Sequence, residues 1–413
     1  MRGNLTRLQD IQRVFATGEH KYWAPELQQG FQQGPGRPAL ETCRALRAAR
    51  EERSTPLALF LTRTIGHICS FIGGDEPLLL LADRSFRQIR WNRAALGYPG
   101  FIHHVMELFQ ESEVDLVVRS GFEDLPLPCR GRILPFDKKT QTPGSFRNNL
   151  RQYEYQKMFI LPPSFSSAWM GFRASIPERI GFSGDFRKVL LKPAKKHENP
   201  PRQIHLVDEY MELLKPLPGT PIRFPKLEVN EEWLEKQLNF LPQSLPERFI
   251  CFAPGAVYGP AKQWPLESFR DLGEIMTRES DLPVILLGTE ADLETAEFIQ
   301  NQSKGITNLC GKTGLNQLVA ILAWASLLVS NDSGEMHVMA ALQRPQIALF
   351  GSSTPRWTAP LNPMAEVIYL DLECSPCFKR QCPFGHLNCL TGISPQQVAE
   401  QALKMLEDTT SSA

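Results

Sequence analysis

From residue 249 onward, short apolar runs alternate with helical patterns. "FICFAPGA" precedes "LESFRDLGEIMTRES", "LPVILLG" precedes "DLETAEFIQNQ", "ITNLCG" precedes "GLNQLVAILAWA", "SLLVSND" precedes "GEMHVMAAL", and "QIALFG" leads to "AEVIYLD". This alternation predicts a parallel sheet with crossover helices. A last helix, "SPQQVAEQALKMLED", opens with Ser394 as its N-cap and Pro395 in its first turn. Residues 76–217 alternate less regularly, with "EPLLLLA", "EVDLVV", "GRILPF" and "KMFILP" as strands and "FIHHVMELFQ", "SFSSAWMGFRA" and "IHLVDEYMELL" as helices. Between the halves, "LKPLPGTPIRFPKLEVNEEW" carries four prolines in its first twelve residues and predicts an extended linker. The pattern therefore describes an α/β chain: a helical extension over 1–75, one α/β domain over 76–217, a linker over 218–245 and a second domain over 246–413.

Length agrees with two domains, since 413 residues exceed the roughly 100–200 that one core usually serves. An apolar content of 42% with 45 basic and 45 acidic residues describes a globular chain without a field that implies nucleic acid. The most membrane-like run, "PLALFLTRTIGHICSFIGG", is interrupted by Arg63 and His67, and no stretch reaches about 20 uninterrupted apolar residues. No transmembrane helix is expected. The opening "MRGNLTRLQDIQRV" lacks the apolar core of a signal peptide, which predicts a cytoplasmic chain with reduced thiols.

Candidate chemistry falls at strand ends, where a doubly wound sheet binds ligands and helix N-termini attract anions. In "VSNDSGEMHVMAAL", Asp332 would end a strand, Ser333 and Gly334 would let a ligand approach the backbone, and His337 would lie one helical turn further in. The plain alternative is that Asp332 and Ser333 cap a helix and His337 packs. A second loop, "APGAVYGPAKQWP", offers the small residues Gly255, Ala256 and Gly259 and then Lys262, a compact positive charge for a phosphate. Neither a dinucleotide G-x-G-x-x-G nor a Walker loop is present. A third loop, "GTEADLE", places Glu290 and Asp292 where a ribose would be gripped, or where a helix start would be capped.

Four of nine cysteines, Cys374, Cys377, Cys382 and Cys389, fall in "CSPCFKRQCPFGHLNC", with His386 near the last. That count suits a closed tetrahedral Zn or Fe site. A disulfide pair or four reduced thiols in a turn-rich tail would explain the same residues.

The passages "PGAVYGPAKQWP", "NDSGEMHVMAALQRPQIALFGSSTPRWTAP", "LPPSFSSAWMGFRASIPERIGFSG" and "CSPCFKRQCPFGHLNCL" resemble the family-9 glycosyltransferases, and within them the ADP-heptose:lipopolysaccharide heptosyltransferase II group. The resemblance spans about residues 76–408. It implies a GT-B fold, two Rossmann-like domains facing across a cleft, with the acceptor on the first and the nucleotide sugar on the second. It also implies transfer of heptose from ADP-heptose to a lipopolysaccharide core acceptor, a heptosylated Kdo-lipid A, with inversion, no metal or cofactor required for catalysis, and peripheral contact with the inner membrane. On this reading Lys262 and the N–H groups near Ser333 and Gly334 stabilise the departing diphosphate, His337 donates to it, and Asp332 holds sugar hydroxyls.

One motif departs from the family. Its first strand leads into a Gly-Asp pair whose aspartate is the expected base, and alignment on Trp91 and "FIHHVMELF" puts Arg93 and Ala94 there. Alanine cannot take a proton, so Asp83, after "LLLLA", becomes the candidate base, although a carboxylate there is equally well explained as a turn residue. Arg84, Arg87, Arg90 and Arg93 crowd the same loop; Arg87, Arg90 and Arg93 would suit a phosphorylated acceptor, and a solvated loop rich in arginine explains them equally. Two other readings stand beside the transferase: a non-catalytic binding or assembly protein descended from the family, and a heptosyltransferase directed at protein.

Overall fold

The computed structural model describes residues 78–81 and 101–411, apart from 103–104, 107, 110–113, 138–139, 142, 163, 185, 201, 215–225, 243 and 303. The expected extension over 1–75 lies outside these residues. Two six-stranded sheets organise the rest. The first is built from β1 (Leu78–Leu81), β2 (Val114–Arg119), β3 (Ile133–Phe136), β4 (Lys157–Ile160), β5 (Glu178–Phe182) and β6 (Ala194–Lys195). The second is built from β7 (Ile250–Ala253), β8 (Val284–Leu286), β9 (Ile306–Asn308), β10 (Leu327–Asn331), β11 (Gln346–Phe350) and β12 (Ala365–Tyr369). Their orders, β3-β2-β1-β4-β5-β6 and β12-β11-β10-β7-β8-β9, are the same Rossmann order used twice, with every pairing parallel. Strand order reverses between β1 and β4 and between β7 and β10. In sheets of this order the crossovers diverge at the switch point, and ligands bind beyond the strand ends there.

The described helices are α1 (Pro143–Arg151), α2 (Phe165–Arg173), α3 (Leu206–Met211), α4 (Glu231–Leu238), α5 (Leu266–Glu279), α6 (Leu293–Gln302), α7 (Leu315–Trp324), α8 (Gly334–Ala341), α9 (Pro355–Thr358), α10 (Asn388–Thr391) and α11 (Pro395–Ser411). The central strands of the second sheet, β7, β8, β10 and β11, are buried at every position, as a sheet covered on both faces requires. Phe252, Phe269, Leu272 and Met276 share one core with Val398, Ala399 and Ala402 of α11, and the last helix packs against α5 and β10. Each Phe, Leu, Met or Val side chain among them contributes about 1.5–3 kcal/mol when fully buried. Ser394 caps α11 as expected, its hydroxyl accepting from the N–H of Gln397 at 3.2 Å.

The stretch read as a linker is partly helical. Asn230 accepts from the N–H of Trp233 at 2.8 Å, and Glu231 and Glu232 follow in the first turn, so α4 starts with a cap and a favourable dipole interaction. It packs on α7. The surroundings of the two sheets meet around residue 202. The Arg202 guanidinium lies 4.4 Å from the ring centre of Phe378 and 5.1 Å from that of Trp357. His205 accepts from the N–H of Val207 at Nδ1, so Nε2 carries the proton and donates to the Ala359 carbonyl at 3.1 Å.

Candidate functional site

At the β7/β10 switch point the loops after the two strands are tied together. Asn331, the last residue of β10, donates through Nδ2 to the Pro254 carbonyl at 2.7 Å and accepts at Oδ1 from the N–H of Trp264 at 2.9 Å. Trp264 is buried, and its indole N–H reaches the Ile393 carbonyl at 3.0 Å. The loop between Pro254 and Trp264 is therefore pinned at one end by strand β10 and at the other by the chain entering α11.

This pinning delivers Lys262 to Asp332. Lys262 Nζ donates to Asp332 Oδ2 at 2.5 Å, and both side chains are 1% exposed. The Ser353 hydroxyl, beyond the end of β11, donates to the same carboxylate oxygen. On the other side the ammonium lies 4.8 Å from the ring centre of Tyr258. A buried pair of this kind persists because attraction between the two charges repays their desolvation, and removing one partner strands the other. The expected phosphate lysine and sugar aspartate thus lie together, each holding the other in place.

Helix α8 begins directly after this aspartate, and all eight of its residues are buried. The Ser333 side chain does not cap it; the hydroxyl donates instead to Glu335 Oε2 at 2.7 Å. Burial pushes the Glu335 carboxyl above its usual range, while the Ser333 hydroxyl and the N–H groups of Glu335 and Gly334 pull it down and Asp292 pushes it up. The N–H groups expected to meet a diphosphate are therefore engaged by a side chain of their own helix. Sequence reasoning passed over Glu335; its signal was an acid inside an otherwise apolar helix. His337 is buried one turn further along, as expected.

Gly255 lies against the loop that follows β8. A Cβ there would fall 2.4 Å from Asp292 Oδ1, so the space is filled by a carboxylate of this chain. Asp292 in turn accepts at Oδ2 from the N–H and the hydroxyl of Thr289, both at 2.8 Å. Asp292 is thus the third-position partner of a capping box whose N-cap is Thr289, while Glu290 is exposed at the start of the same turn. Ala256 is buried beside them. Gly259 has φ +139°, and a Cβ would meet the Arg380 carbonyl at 2.8 Å, so only glycine fits between this loop and the cysteine segment.

That segment is stitched to the site. Tyr258 donates its hydroxyl to the Phe378 carbonyl, and the N–H of Ala261 reaches the Arg380 carbonyl at 3.1 Å. The N–H of Phe378 donates to Ser352 at 2.7 Å, and the Ser375 hydroxyl to Gly351 at 2.5 Å. Cys374, Cys377, Cys382 and Cys389 are all free thiols, so the disulfide alternative is not realised. The N–H of Leu387, with those of Phe384, Gly385 and His386, pulls the Cys382 thiol down toward ionisation. Burial, then the neighbouring Cys374 and Cys377, pushes Cys389 up. Among the described residues no three such side chains are gathered around a common metal position.

At the first sheet's switch point β1 ends at Leu81. Asp83, Arg84, Arg87, Arg90, Arg93 and Ala94 lie outside the described residues. The β4 side is described. Ser164 Oγ caps α2 by accepting from the N–H of Ser167 at 3.2 Å and lies 2.6 Å from its hydroxyl. In the sequence these hydroxyls are signalled only by "PPSFSSA" following an apolar strand.

A family model for glycosyltransferase family 9 (heptosyltransferase) matches residues 144–388. The chain is 33% identical over 300 residues to lipopolysaccharide heptosyltransferase 2 of Salmonella typhimurium, covering 69% of this chain and 84% of that protein. It is 33% identical over 298 residues to lipopolysaccharide heptosyltransferase 2 of Escherichia coli, covering 69% and 84%. The solved structure of E. coli ADP-heptose lipopolysaccharide heptosyltransferase II superposes with a TM-score of 0.69 at 27% identity, covering 81% of this chain and 99% of that one.

Proposed function

This chain belongs to glycosyltransferase family 9, and from that premise we propose that it is an inverting GT-B heptosyltransferase moving heptose from ADP-heptose to the inner core of lipopolysaccharide. The observation that carries the reading onto particular residues is the Lys262–Asp332 pair across the β7/β10 switch point, where a Rossmann sheet receives a nucleotide. The donor would lie along the carboxyl edge of β7, β8 and β10, with Gly255, Ala256 and Glu290 on the nucleotide side and Asp332, Ser333, Gly334 and His337 beside the sugar and diphosphate.

Transfer forms a bond from an acceptor hydroxyl oxygen to the anomeric carbon as the bond to the diphosphate breaks. The hydroxyl proton passes to a base and ADP departs. Lys262, and the N–H groups at the start of α8 once the Glu335 carboxylate gives them up, would meet the charge growing on the diphosphate, an effect on the order of 3–4 kcal/mol for one well-placed donor in other enzymes. Asp83 would take the proton, and Arg87, Arg90 and Arg93 would hold anionic groups of the acceptor. A chain acting on this acceptor would work at the cytoplasmic face of the inner membrane.

For the tail we propose a structural Zn or Fe held by Cys374, Cys377, Cys382 and Cys389. Four free thiols on one segment and the ring of N–H groups that favours a Cys382 thiolate support it. Binding would draw the sulfurs together.

The test is incubation of the purified chain with ADP-heptose and a heptosylated Kdo-lipid A, read by mass spectrometry. A gain of one heptose by the acceptor with release of ADP supports the reading. Binding of ADP-heptose without any gain favours the non-catalytic alternative, which the Arg93-Ala94 pair motivates.

A further inference from the structure

Helix α2 presents its aromatic residues to solvent. It buries Ser167, Ala168, Met170 and Gly171, and leaves Phe165 46% and Phe172 44% exposed, with Trp169 half-buried between them. Spacing of four and three residues puts the three rings in one row. They stack: Phe165 on Trp169 with centres 6.1 Å apart and 18° between planes, and Trp169 on Phe172 at 5.6 Å and 26°. Arg173 lies 5.6 Å over Trp169, and Arg179 lies 5.6 Å over Phe172.

The row continues onto the turn Arg187–Leu190, which packs against α2. Arg179 links the two, donating to the Leu190 carbonyl at 2.6 Å. On that turn Val189 is 82% exposed, and just before it Phe186 is 94% exposed with φ +58°, a backbone region that bulky side chains rarely adopt. Residues 186–196, "FRKVLLKPAKK", hold five cations and no acid, bounded by Asp185 and Glu198. Arg187 turns inward to the Pro162 carbonyl, and Lys195 reaches the Glu212 carbonyl. Lys188, Lys192 and Lys196 are exposed. Protruding aromatic and aliphatic groups set among lysines match the two layers of a bilayer interface, apolar beneath and anionic above.

Position supports the match. Phe165 opens α2 just after the carboxyl end of β4, at the first sheet's switch point. The surface therefore begins where the acceptor would enter.

We propose that the surface formed by Phe165, Trp169, Phe172, Phe186 and Val189 with Lys188, Lys192 and Lys196 docks on an anionic lipid bilayer. The inference rests on the transferase reading and adds to it the face that meets the membrane. Docking there holds the first sheet's switch point against the lipid surface in which a lipid-anchored acceptor sits.

The test uses the full chain and flotation with vesicles of phosphatidylethanolamine and phosphatidylglycerol at about three to one, beside phosphatidylcholine alone. Wild type should float with the anionic vesicles, and less so as salt rises. Phe172→Ser with Phe186→Ser and Val189→Ser should lower the bound fraction about tenfold. Combined in one variant, Lys188→Glu, Lys192→Glu and Lys196→Glu should each lower the vesicle partition constant by at least about fivefold. Both variants should keep ADP binding and transfer to a deacylated, water-soluble acceptor, and lose transfer to the acylated acceptor in vesicles. Failure of wild type to float, or variants that float like wild type, overturns the proposal. So does a variant that only splits a dimer on gel filtration, because the surface then joins two copies. Floating that responds as expected, with no transfer even to the soluble acceptor, sinks the transferase reading and leaves the docking surface standing.

Discussion

Lys262 Nζ and Asp332 Oδ2 lie 2.5 Å apart with both side chains out of water, although 70 residues separate them along the chain. Either substitution alone should therefore act on stability as well as on binding. Lys262→Ala and Asp332→Ala should each cost about 3–5 kcal/mol in urea unfolding, since each strands a buried charge. The double variant should lose less than the sum of the two. Additive losses would mean that the pair is not coupled in solution.

Glu335 supplies a pH dependence. Burial holds its carboxyl above the usual value of 4.5 in the folded chain, so the fold binds the extra proton. Such a group adds stability that is present below the unfolded value and lost as pH rises through the folded one. Glu335→Gln keeps a partner for Ser333 and removes the titration. Its stability should equal that of wild type near pH 4 and exceed it increasingly toward pH 8. Calorimetry of ADP binding should show a flatter pH profile in the variant, because no carboxylate then competes at the start of α8. Parallel profiles for the two proteins would remove Glu335 from the site.

Asp83 is the proposed proton acceptor. Asp83→Asn should lower turnover by about 10²-fold or more while leaving ADP-heptose affinity nearly unchanged. Full activity in the variant would dismiss it. Ala94→Asp, which restores the family's acid, should raise the rate.

The cysteine segment predicts about one Zn or Fe per chain in protein purified without chelator, released on replacing Cys377. Elemental analysis decides this, and metal-free protein would reject the site.

How far the sequence could be read differs between the halves for a physical reason. Strands β7, β10 and β11 are covered on both faces, so "FICFA", "LLV" and "IALF" run apolar without alternation and stand out. In the first half β5 begins with Glu178 and Arg179, β6 has two residues, and α1 reads "PGSFRNNLR", so neither period shows. Within the site, Lys262 and Asp332 were each legible from their place at a strand end. Their pairing was not, because it depends on how Asn331 and Trp264 fix the loop. Asp292 shows the opposite limit: its type suited a ribose contact and a cap equally, and the hydrogen bonds to Thr289 decide for the cap.

Phe378 touches three things at once. Its ring lies under Arg202 of the first half, its carbonyl takes the Tyr258 hydroxyl, and its N–H holds the loop after β11. Adding or deleting a residue between Cys377 and Cys382 would thus shift the inter-sheet contact and the lysine loop together, whatever residue was inserted. Among descendants of this chain, the length of that segment should accordingly drift more slowly than the identity of its exposed residues.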